Sequence, residues 1–323
     1  MPGIFVVSLD FELMWGALYQ RGTSDYDANI LGVRQAIPAM LNLFREYEIH
    51  ATWATVGFLF FSNKKDMVRG CPQIKPGYKN DRLSPYTNMQ AVGADESQDP
   101  YHFGHSLIQM VRSCSGQEIG SHTFSHYYCL EPGQTEAAFR ADLQAANQAA
   151  KALGLQIQSL VFPRNQINTA YLKICAELGI KCYRGTEKAW FYSGGGMEGE
   201  SIVTRAHRLL DSYANISGHN TYTLDHNGDI VNLPASRFLR PHNRGLAALD
   251  GLKFHRIASG IRDAAQKAKI YHLWWHPHNF GIYLNENITF LRRILDFVSE
   301  MRNKHGMKSL NMGETSQLLS HAR

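Results

Sequence analysis

Two histidines four residues apart, His122 and His126, stand in the run Ser-His-Thr-Phe-Ser-His, directly after a short apolar segment. At this spacing two imidazoles on one helical turn lie on the same face and can bind one cation. In a chain of 323 residues with 15 histidines, one such pair can also arise by chance. The pair alone therefore leaves two interpretations open, a metal site and two unrelated loop residues.

Two acidic residues, Asp10 and Glu12, end the first apolar run of the chain. Residues two apart on a strand point to the same side, so both carboxylates can face one site while Phe11 packs on the other. A strand end that turns polar as it meets solvent is the simpler alternative. Two carboxylates beside a buried strand would repel each other unless a cation lies between them, which favours a metal site.

Two further polar residues follow apolar runs. Arg164 comes directly after residues 159–163, where a guanidinium could pair with a carboxylate and lower its pKa. An ordinary surface arginine is an equally simple interpretation. His276 ends the run 271–275 and is a candidate acid or base, with His278 as an alternative and His272 as a packed core histidine.

Strand-like and helix-like segments alternate along the chain. Apolar runs predict strands at residues 4–9, 51–61, 117–121, 156–162, 180–183 and 269–275, and helical spacing appears at 33–47, 135–153, 171–178 and 288–298. This alternation predicts parallel βαβ units, and their number favours a barrel over an open doubly wound sheet. All six candidate residues would then lie at the carboxyl ends of barrel strands, where active sites are built: Asp10, Glu12, His122, His126, Arg164 and His276.

Two polar stretches interrupt the alternation, near residues 63–103 and 190–244, and the second contains a glycine-rich run at 194–199. Both predict loop insertions over one end of a single barrel domain that spans residues 1–323, where they would shape a substrate groove. Tryptophans near that rim could stack on a sugar, although large aromatic residues more often belong to the core. They are Trp15, Trp190, Trp274 and Trp275.

Composition narrows the class of protein. The net charge is +5 without a dense basic tract, which argues against nucleic-acid binding. Five cysteines without a Cys-x-x-Cys pair predict reduced thiols, and no apolar run approaches the roughly 20 residues of a membrane span. Because the first residues lack the features of a secretory leader, we expect a cytoplasmic protein.

The ordered set of motifs resembles the NodB-type polysaccharide deacetylases, carbohydrate esterase family four, and identifies the chain as a divergent member. His122-Thr-Phe-Ser-His126 matches the family's metal-binding His-[Ser/Thr]-x-x-His motif. Two departures stand out: Phe11 replaces the second of two adjacent aspartates, and residues 163–166 read Pro-Arg-Asn-Gln instead of the family's Arg-Pro-Pro-Tyr-Gly. The resemblance implies a distorted (β/α)7-type barrel.

The resemblance also implies a chemistry. A divalent metal ion, most simply zinc, would bind Glu12, His122 and His126, with Asp10 as base, Arg164 orienting Asp10, and His276 as acid. The expected reaction removes an N-acyl group, most simply N-acetyl, from an amino sugar or glycan precursor, including a phosphate-linked one. The alternatives are deformylation or hydrolysis of another amide or imide, and a non-catalytic glycan-binding barrel suggested by Phe11.

Overall fold

The first strand forms the centre of a parallel sheet. In the computed structural model, which describes residues 2–17, 24–192, 201–224, 228 and 230–320, β1 (Ile4–Phe11) is buried along its whole length. It pairs with β2 (Ala51–Thr55) on one side and β8 (Ile270–Trp275) on the other. A strand that is covered on both faces must be apolar almost throughout, as the run Ile-Phe-Val-Val-Ser-Leu is.

Further strands extend the sheet on the β2 side of β1, and another strand extends it beyond β8 on the other side. β3 (Gln117–Ser121), β4 (Ser159–Leu160) and β5 (Cys182–Tyr183) follow β2 in sequence order, and every pairing in this series is parallel. At the far end β6 (Val231–Asn232) pairs with β5, while β7 (Arg237–Phe238) pairs with β8.

One extended stretch, residues 231–239, joins the two ends of the sheet, and we call it the closing segment. Leu233 donates its N–H to the carbonyl of Tyr183 in β5, and Leu239 donates to the carbonyl of Trp274 in β8. With β1 to β5 and β8, the closing segment makes the seventh strand of a barrel, which confirms the predicted distorted (β/α)7 type. The closing segment lies within the stretch near 190–244 for which the sequence predicts an insertion, and that insertion stays a prediction. The paired pieces β6 and β7 are two residues long each, because the segment changes its partner from β5 to β8 between Ala235 and Ser236.

Helices connect the strands and cover the outside of the barrel. In chain order they are α1 (Ser24–Glu46), α2 (Lys64–Arg69), α3 (His105–Arg112), α4 (Glu136–Ala152), α5 (Leu172–Glu177), α6 (Ile202–Asp211), α7 (Asp250–Gln266) and α8 (Leu284–His305). Residues 63–103 hold α2 and two short 3-10 helices, Asp81–Leu83 and Pro85–Ala91. The single-domain boundary and the insertion at 63–103 stay predictions, and the glycine-rich run at 194–199 lies outside the described residues.

Helix α4 shows how local sequence determines position. The Thr135 side chain accepts a hydrogen bond from the Ala138 N–H and so caps the helix. Gly154, with φ at +72°, follows its end in the left-handed conformation that a glycine adopts without strain. The buried face is built of small and apolar residues, and Asp142 is the charged exception on it.

The lower end of the barrel is closed by the C-terminal elements. β9 (Lys308–Ser309) pairs with β1, and α9 (Met312–Ser320) begins against a partly buried carboxylate, Glu118. Glu118 accepts hydrogen bonds from the Thr52 and Ser159 hydroxyls and from the Gly313 N–H. This polar cluster lies at the amino ends of the strands, away from the candidate site.

In the part of the chain that the structure describes, no helix has both the length and the apolar character needed to cross a membrane. The five cysteines are free thiols.

A close backbone contact between Gly32 of α1 and Gly281 tests how tightly the barrel holds the segment after β8. A Cβ at Gly32 would lie 2.0 Å from the Gly281 carbonyl oxygen, so Gly32→Ala must move one of the two backbones. We expect the free energy of unfolding to fall by about 1–3 kcal/mol in urea denaturation.

Gly251→Ala is the matched control, because no atom lies within 4 Å of a Cβ at that position of α7. This change should leave stability unchanged or raise it by up to about 1 kcal/mol through helix propensity. Equal stability of the two variants would contradict the packing described for Gly32.

Candidate active site

Strand β1 delivers two carboxylates to the upper end of the barrel. Asp10 is the second-last residue of β1 and Glu12 directly follows the strand, and both residues are buried. Phe11, between them, packs edge-on against Trp53 with ring centroids 6.4 Å apart. A Cβ at Gly16 would lie 2.1 Å from Glu12 Cδ, so the segment after β1 can fold back over this carboxylate only because that residue is glycine.

The loop after β3 carries the two histidines. It is not the helical turn that the spacing predicts, because Thr123 and His126 have left-handed φ values of 62° and 56°. Its backbone hydrogen-bonding groups are satisfied from outside instead. The Asp142 carboxylate accepts the N–H of Phe124 at 2.6 Å, as well as the N–H and the hydroxyl of Ser125. The buried acid of α4 therefore sets the shape of the histidine loop.

Glu12, His122 and His126 converge on one point. Glu12 Oε2 lies 3.3 Å from His122 Nε2 and 3.0 Å from His126 Nε2, and all three residues are buried. His122 Nδ1 lies 2.9 Å from the Val161 carbonyl, so Nδ1 carries the proton and the Nε2 lone pair faces the cluster. Two imidazole nitrogens and one carboxylate are a typical donor set for zinc, and these residues fit a divalent cation.

Electrostatics favour the cation-binding forms of Glu12 and His126. Burial raises the pKa of Glu12, but the charge of His276 and the hydrogen bonds from the two histidines outweigh it, so the pKa lies well below its usual range. Burial lowers the pKa of His126, and the nearby charges of His122 and Arg164 lower it further, against the opposing effect of Glu12. An ionised carboxylate and a neutral imidazole result, as metal ligands require.

Asp10 is paired with an arginine that the sequence did not single out. Arg184 Nη1 and Nη2 donate to the two Asp10 oxygens at 2.6 and 2.8 Å, and the arginine side chain is fully buried. Burial raises the pKa of Asp10, but the Arg184 charge more than offsets it, and the pKa is lowered. Arg184 thus makes the ion pair that was predicted for Arg164. It follows the predicted strand 180–183, so the rule that located the other site residues could also have located it.

The loop after β4 contributes in another way. Arg164 and Asn165 both have a left-handed φ of 54°, and Asn165 Oδ1 accepts a hydrogen bond from Arg184 Nη2 at 3.1 Å. The position where the family usually places its arginine motif therefore supplies an acceptor for Arg184. Arg164 itself is partly buried near His126.

The two late histidines occupy different environments. His276 is partly exposed, and its Nε2 lies 3.8 Å from Asp10 Oδ2 and 3.6 Å from Glu12 Oε1. His278 is buried and its Nε2 lies 2.9 Å from the Tyr26 hydroxyl; burial lowers its pKa to about 3. His276 is therefore the histidine that is open to a substrate beside the carboxylates.

The four tryptophans near the predicted rim differ in exposure. Trp15 and Trp275 are fully buried in the core. Trp190 is 63% exposed, and Trp274 lies with its ring 4.1 Å from the Arg184 guanidinium carbon. Of these four tryptophans, only Trp190 and Trp274 can therefore contact a ligand or a side chain of the site.

The Asp10–Arg184 pair makes a prediction for stability. Arg184→Met leaves a charged carboxylate buried without its partner, and we expect the free energy of unfolding to fall by about 3–5 kcal/mol at pH 7. Asp10→Asn combined with Arg184→Met should recover part of that loss, which a double-mutant cycle in urea measures.

The exposed pair Arg292–Glu46 provides the matched control. Arg292→Met should lower the free energy of unfolding far less than Arg184→Met, because solvent screens an exposed ion pair. If Arg184→Met costs no more than this control, Arg184 does not neutralise a buried charge.

Asp142 makes a prediction for pH dependence. Burial raises its pKa from the ordinary 3.8 to about 7, against the hydrogen bonds that its carboxylate accepts. A raised pKa in the folded state adds stability in full below about pH 4, and this stability is lost as the pH rises through about 7. Relative to Asp142→Asn, which does not titrate, the wild type should lose up to about 4 kcal/mol over this range. Urea denaturation of both proteins at several pH values measures this loss, and a wild type that gains stability relative to Asp142→Asn as the pH rises would contradict it.

Comparisons with known proteins relate this chain to a family. The profile of the family described as polysaccharide deacetylase matches residues 23–183, which include the histidine loop but not Asp10, Glu12, Arg184 or His276. The comparison with curated proteins gives no match.

Several solved structures share the fold. A putative polysaccharide deacetylase from Mycobacterium smegmatis is 15% identical, with a TM-score of 0.61 over 99% of this chain and 90% of that one. Puue allantoinase is 11% identical, with a TM-score of 0.58 over 97% and 89%. A probable polysaccharide deacetylase from Pseudomonas aeruginosa PAO1 is 11% identical, with a TM-score of 0.51 over 98% and 90%. These structures show the shared fold, and the profile match over residues 23–183 identifies the chain as a divergent member of the NodB-type polysaccharide deacetylase superfamily.

Proposed function

We propose that the chain is a metal-dependent hydrolase that removes an N-acyl group, most simply N-acetyl, from an amino sugar or glycan precursor. The observation that carries the proposal is the buried cluster of Glu12, His122 and His126, in a member of the deacetylase family, beside a second carboxylate and an accessible histidine. Each of these groups has a separate task in amide hydrolysis.

The metal site comes first. A divalent ion such as zinc, bound by Glu12, His122 and His126, would polarise the amide carbonyl and make a water molecule more acidic. The protein prepares this site by directing the His122 Nε2 lone pair inward through the Nδ1–H bond to Val161. Gly16 and Asp142 hold the segments that carry the ligands.

Asp10 is the proposed general base. Its lowered pKa keeps it ionised, and the two bonds from Arg184 fix the direction of its oxygens. The carboxylate accepts a proton from the attacking water as the new C–O bond forms at the acyl carbon. Breaking the C–N bond then releases the carboxylic acid and the amine.

His276 is the proposed general acid. It is partly exposed and lies within 4 Å of both carboxylates, so it can donate a proton to the leaving nitrogen of a substrate bound at the rim. Arg164, whose predicted partner Asp10 is bound by Arg184, stays a candidate for catalysis through its charge near His126.

Two rival functions differ in substrate or in turnover. One structure of the same fold is named an allantoinase, so a cyclic ureide belongs in the substrate panel beside N-formyl and N-acetyl sugars. A glycan-binding protein without catalysis was suggested by Phe11. However, Phe11 packs against Trp53 away from the cluster, and Glu12 supplies the second carboxylate in its place.

The metal ligands provide the direct test. His126→Ala and Glu12→Gln should each lower the bound zinc per chain and reduce acetate release from N-acetylated sugars by roughly 100-fold or more, because each removes a ligand. Elemental analysis and enzymatic acetate detection measure the two quantities, with N-acetylglucosamine oligomers and a nucleotide-linked N-acetyl sugar as substrates.

His305→Ala, an exposed histidine near the end of α8, is the control and should change neither quantity. Undiminished activity after chelation, or in His126→Ala, would contradict the proposal. Release of formate, or opening of a cyclic ureide, without acetate release would instead support the rival substrate and contradict N-acetyl hydrolysis.

A further inference from the structure

We propose that Ser8 and His272 are positioning residues that hold the Arg184 guanidinium in its bidentate contact with Asp10. The inference rests on the proposed function, because it concerns how the general base is oriented. Their hydrogen bonds run to Arg184, to each other and to the closing segment rather than to a metal ligand, so each would act through Arg184.

The two residues form a continuous hydrogen-bonded chain inside the barrel. Arg184 Nη1 donates to Ser8 Oγ at 3.1 Å, and Ser8 Oγ lies 2.8 Å from His272 Nε2. His272 Nδ1 lies 3.1 Å from the carbonyl of Leu233 in the closing segment. Ser8 precedes Asp10 by two residues on β1, so both side chains point to the same side of the strand.

The chemistry of the donors allows one direction for this chain. A guanidinium can only donate, so Ser8 Oγ accepts from Arg184. A carbonyl can only accept, so His272 Nδ1 carries a proton and donates it to Leu233. In a neutral imidazole Nε2 is then unprotonated, and it accepts the hydrogen bond that the Ser8 hydroxyl donates. Burial lowers the pKa of His272 to about 3, with a further contribution from the Arg184 charge, so the imidazole stays neutral.

Besides Asp10, two hydrogen-bond acceptors and one aromatic ring contact the Arg184 guanidinium. Nη1 donates to both Ser8 Oγ and Asp10 Oδ1. Nη2 donates to both Asn165 Oδ1 and Asp10 Oδ2. The Trp274 ring covers a face of the guanidinium. Since both Asp10 oxygens depend on Arg184, a small rotation of the guanidinium would turn the base away from its water. The Ser8–His272 pair opposes that rotation by linking β1, β5 and β8 to the closing segment.

Paired substitutions separate positioning from ordinary stability. His272→Leu removes the acceptor for Ser8, whereas His272→Gln can still accept from Ser8 and donate to Leu233. We expect Ser8→Ala and His272→Leu to lower kcat roughly 10- to 100-fold with KM and zinc content unchanged. His272→Gln should keep kcat within about threefold of the wild type, as expected if the hydrogen bond is what matters.

Ser159→Ala is the matched control, since it removes a buried serine hydroxyl from the neighbouring part of the barrel, where it bonds Glu118 instead of Arg184. It should change stability without lowering kcat. Equal kcat in Ser8→Ala and Ser159→Ala, measured on whichever N-acetyl sugar the wild type hydrolyses, would overturn the inference. A fall in kcat that comes with a raised KM and a loss of zinc would overturn it as well.

A second measurement does not depend on turnover. Nitrogen-15 NMR of the wild type should show His272 as the neutral Nδ1–H form at pH 6, and Ser8→Ala should shift its Nε2 signal. An Nε2–H form, or a signal unmoved by Ser8→Ala, contradicts the chain even if no N-acetyl sugar is hydrolysed. A wild type that shows the expected signals but no hydrolysis of any acylated sugar would instead refute the proposed function alone.

Discussion

Two carboxylates, Asp10 and Glu12, are buried two residues apart at the end of one strand, and the arrangement of the upper barrel follows from the need to compensate them. An ionised carboxylate removed from water is costly unless a positive group or hydrogen bonds replace its hydration. Asp10 is compensated by the bidentate Arg184, whereas Glu12 faces two imidazoles that point their ring nitrogens at it. The same strand thus presents a carboxylate committed to an arginine and another available to a cation.

The departures from the family pattern become physically consistent in three dimensions. Phe11, which replaces an aspartate, points out of the site onto Trp53, and Glu12 brings the second carboxylate back to the correct side of the strand. The arginine lies at the end of β5 instead of in the loop after β4, and Asn165 of that loop accepts one of its hydrogen bonds. Neighbouring parallel strands end at the same rim, so either position can bring a guanidinium to Asp10.

Much of the barrel was predictable because apolar runs and helical spacing mark its long elements. The polar residues that end those runs indicated the Glu12–His122–His126 cluster before the fold was known. The shape of the histidine loop was not predictable, because it depends on Asp142, a distant residue of α4 that satisfies the loop's N–H groups. The closing segment was missed because it changes its partner strand between Ala235 and Ser236 and has no long apolar run of its own. Arg184 was missed although it directly follows the predicted strand 180–183, where the rule that located the other site residues would also have found it.

The most direct test of the account is a crystal structure of the zinc-loaded protein with anomalous data collected at the zinc edge. The account predicts one strong peak bonded to Glu12 Oε2, His122 Nε2 and His126 Nε2, with Asp10 still paired to Arg184 and not bonded to the metal. A peak that takes Asp10 as a ligand, or the absence of any peak between the two histidines, would contradict the division of roles between the two carboxylates.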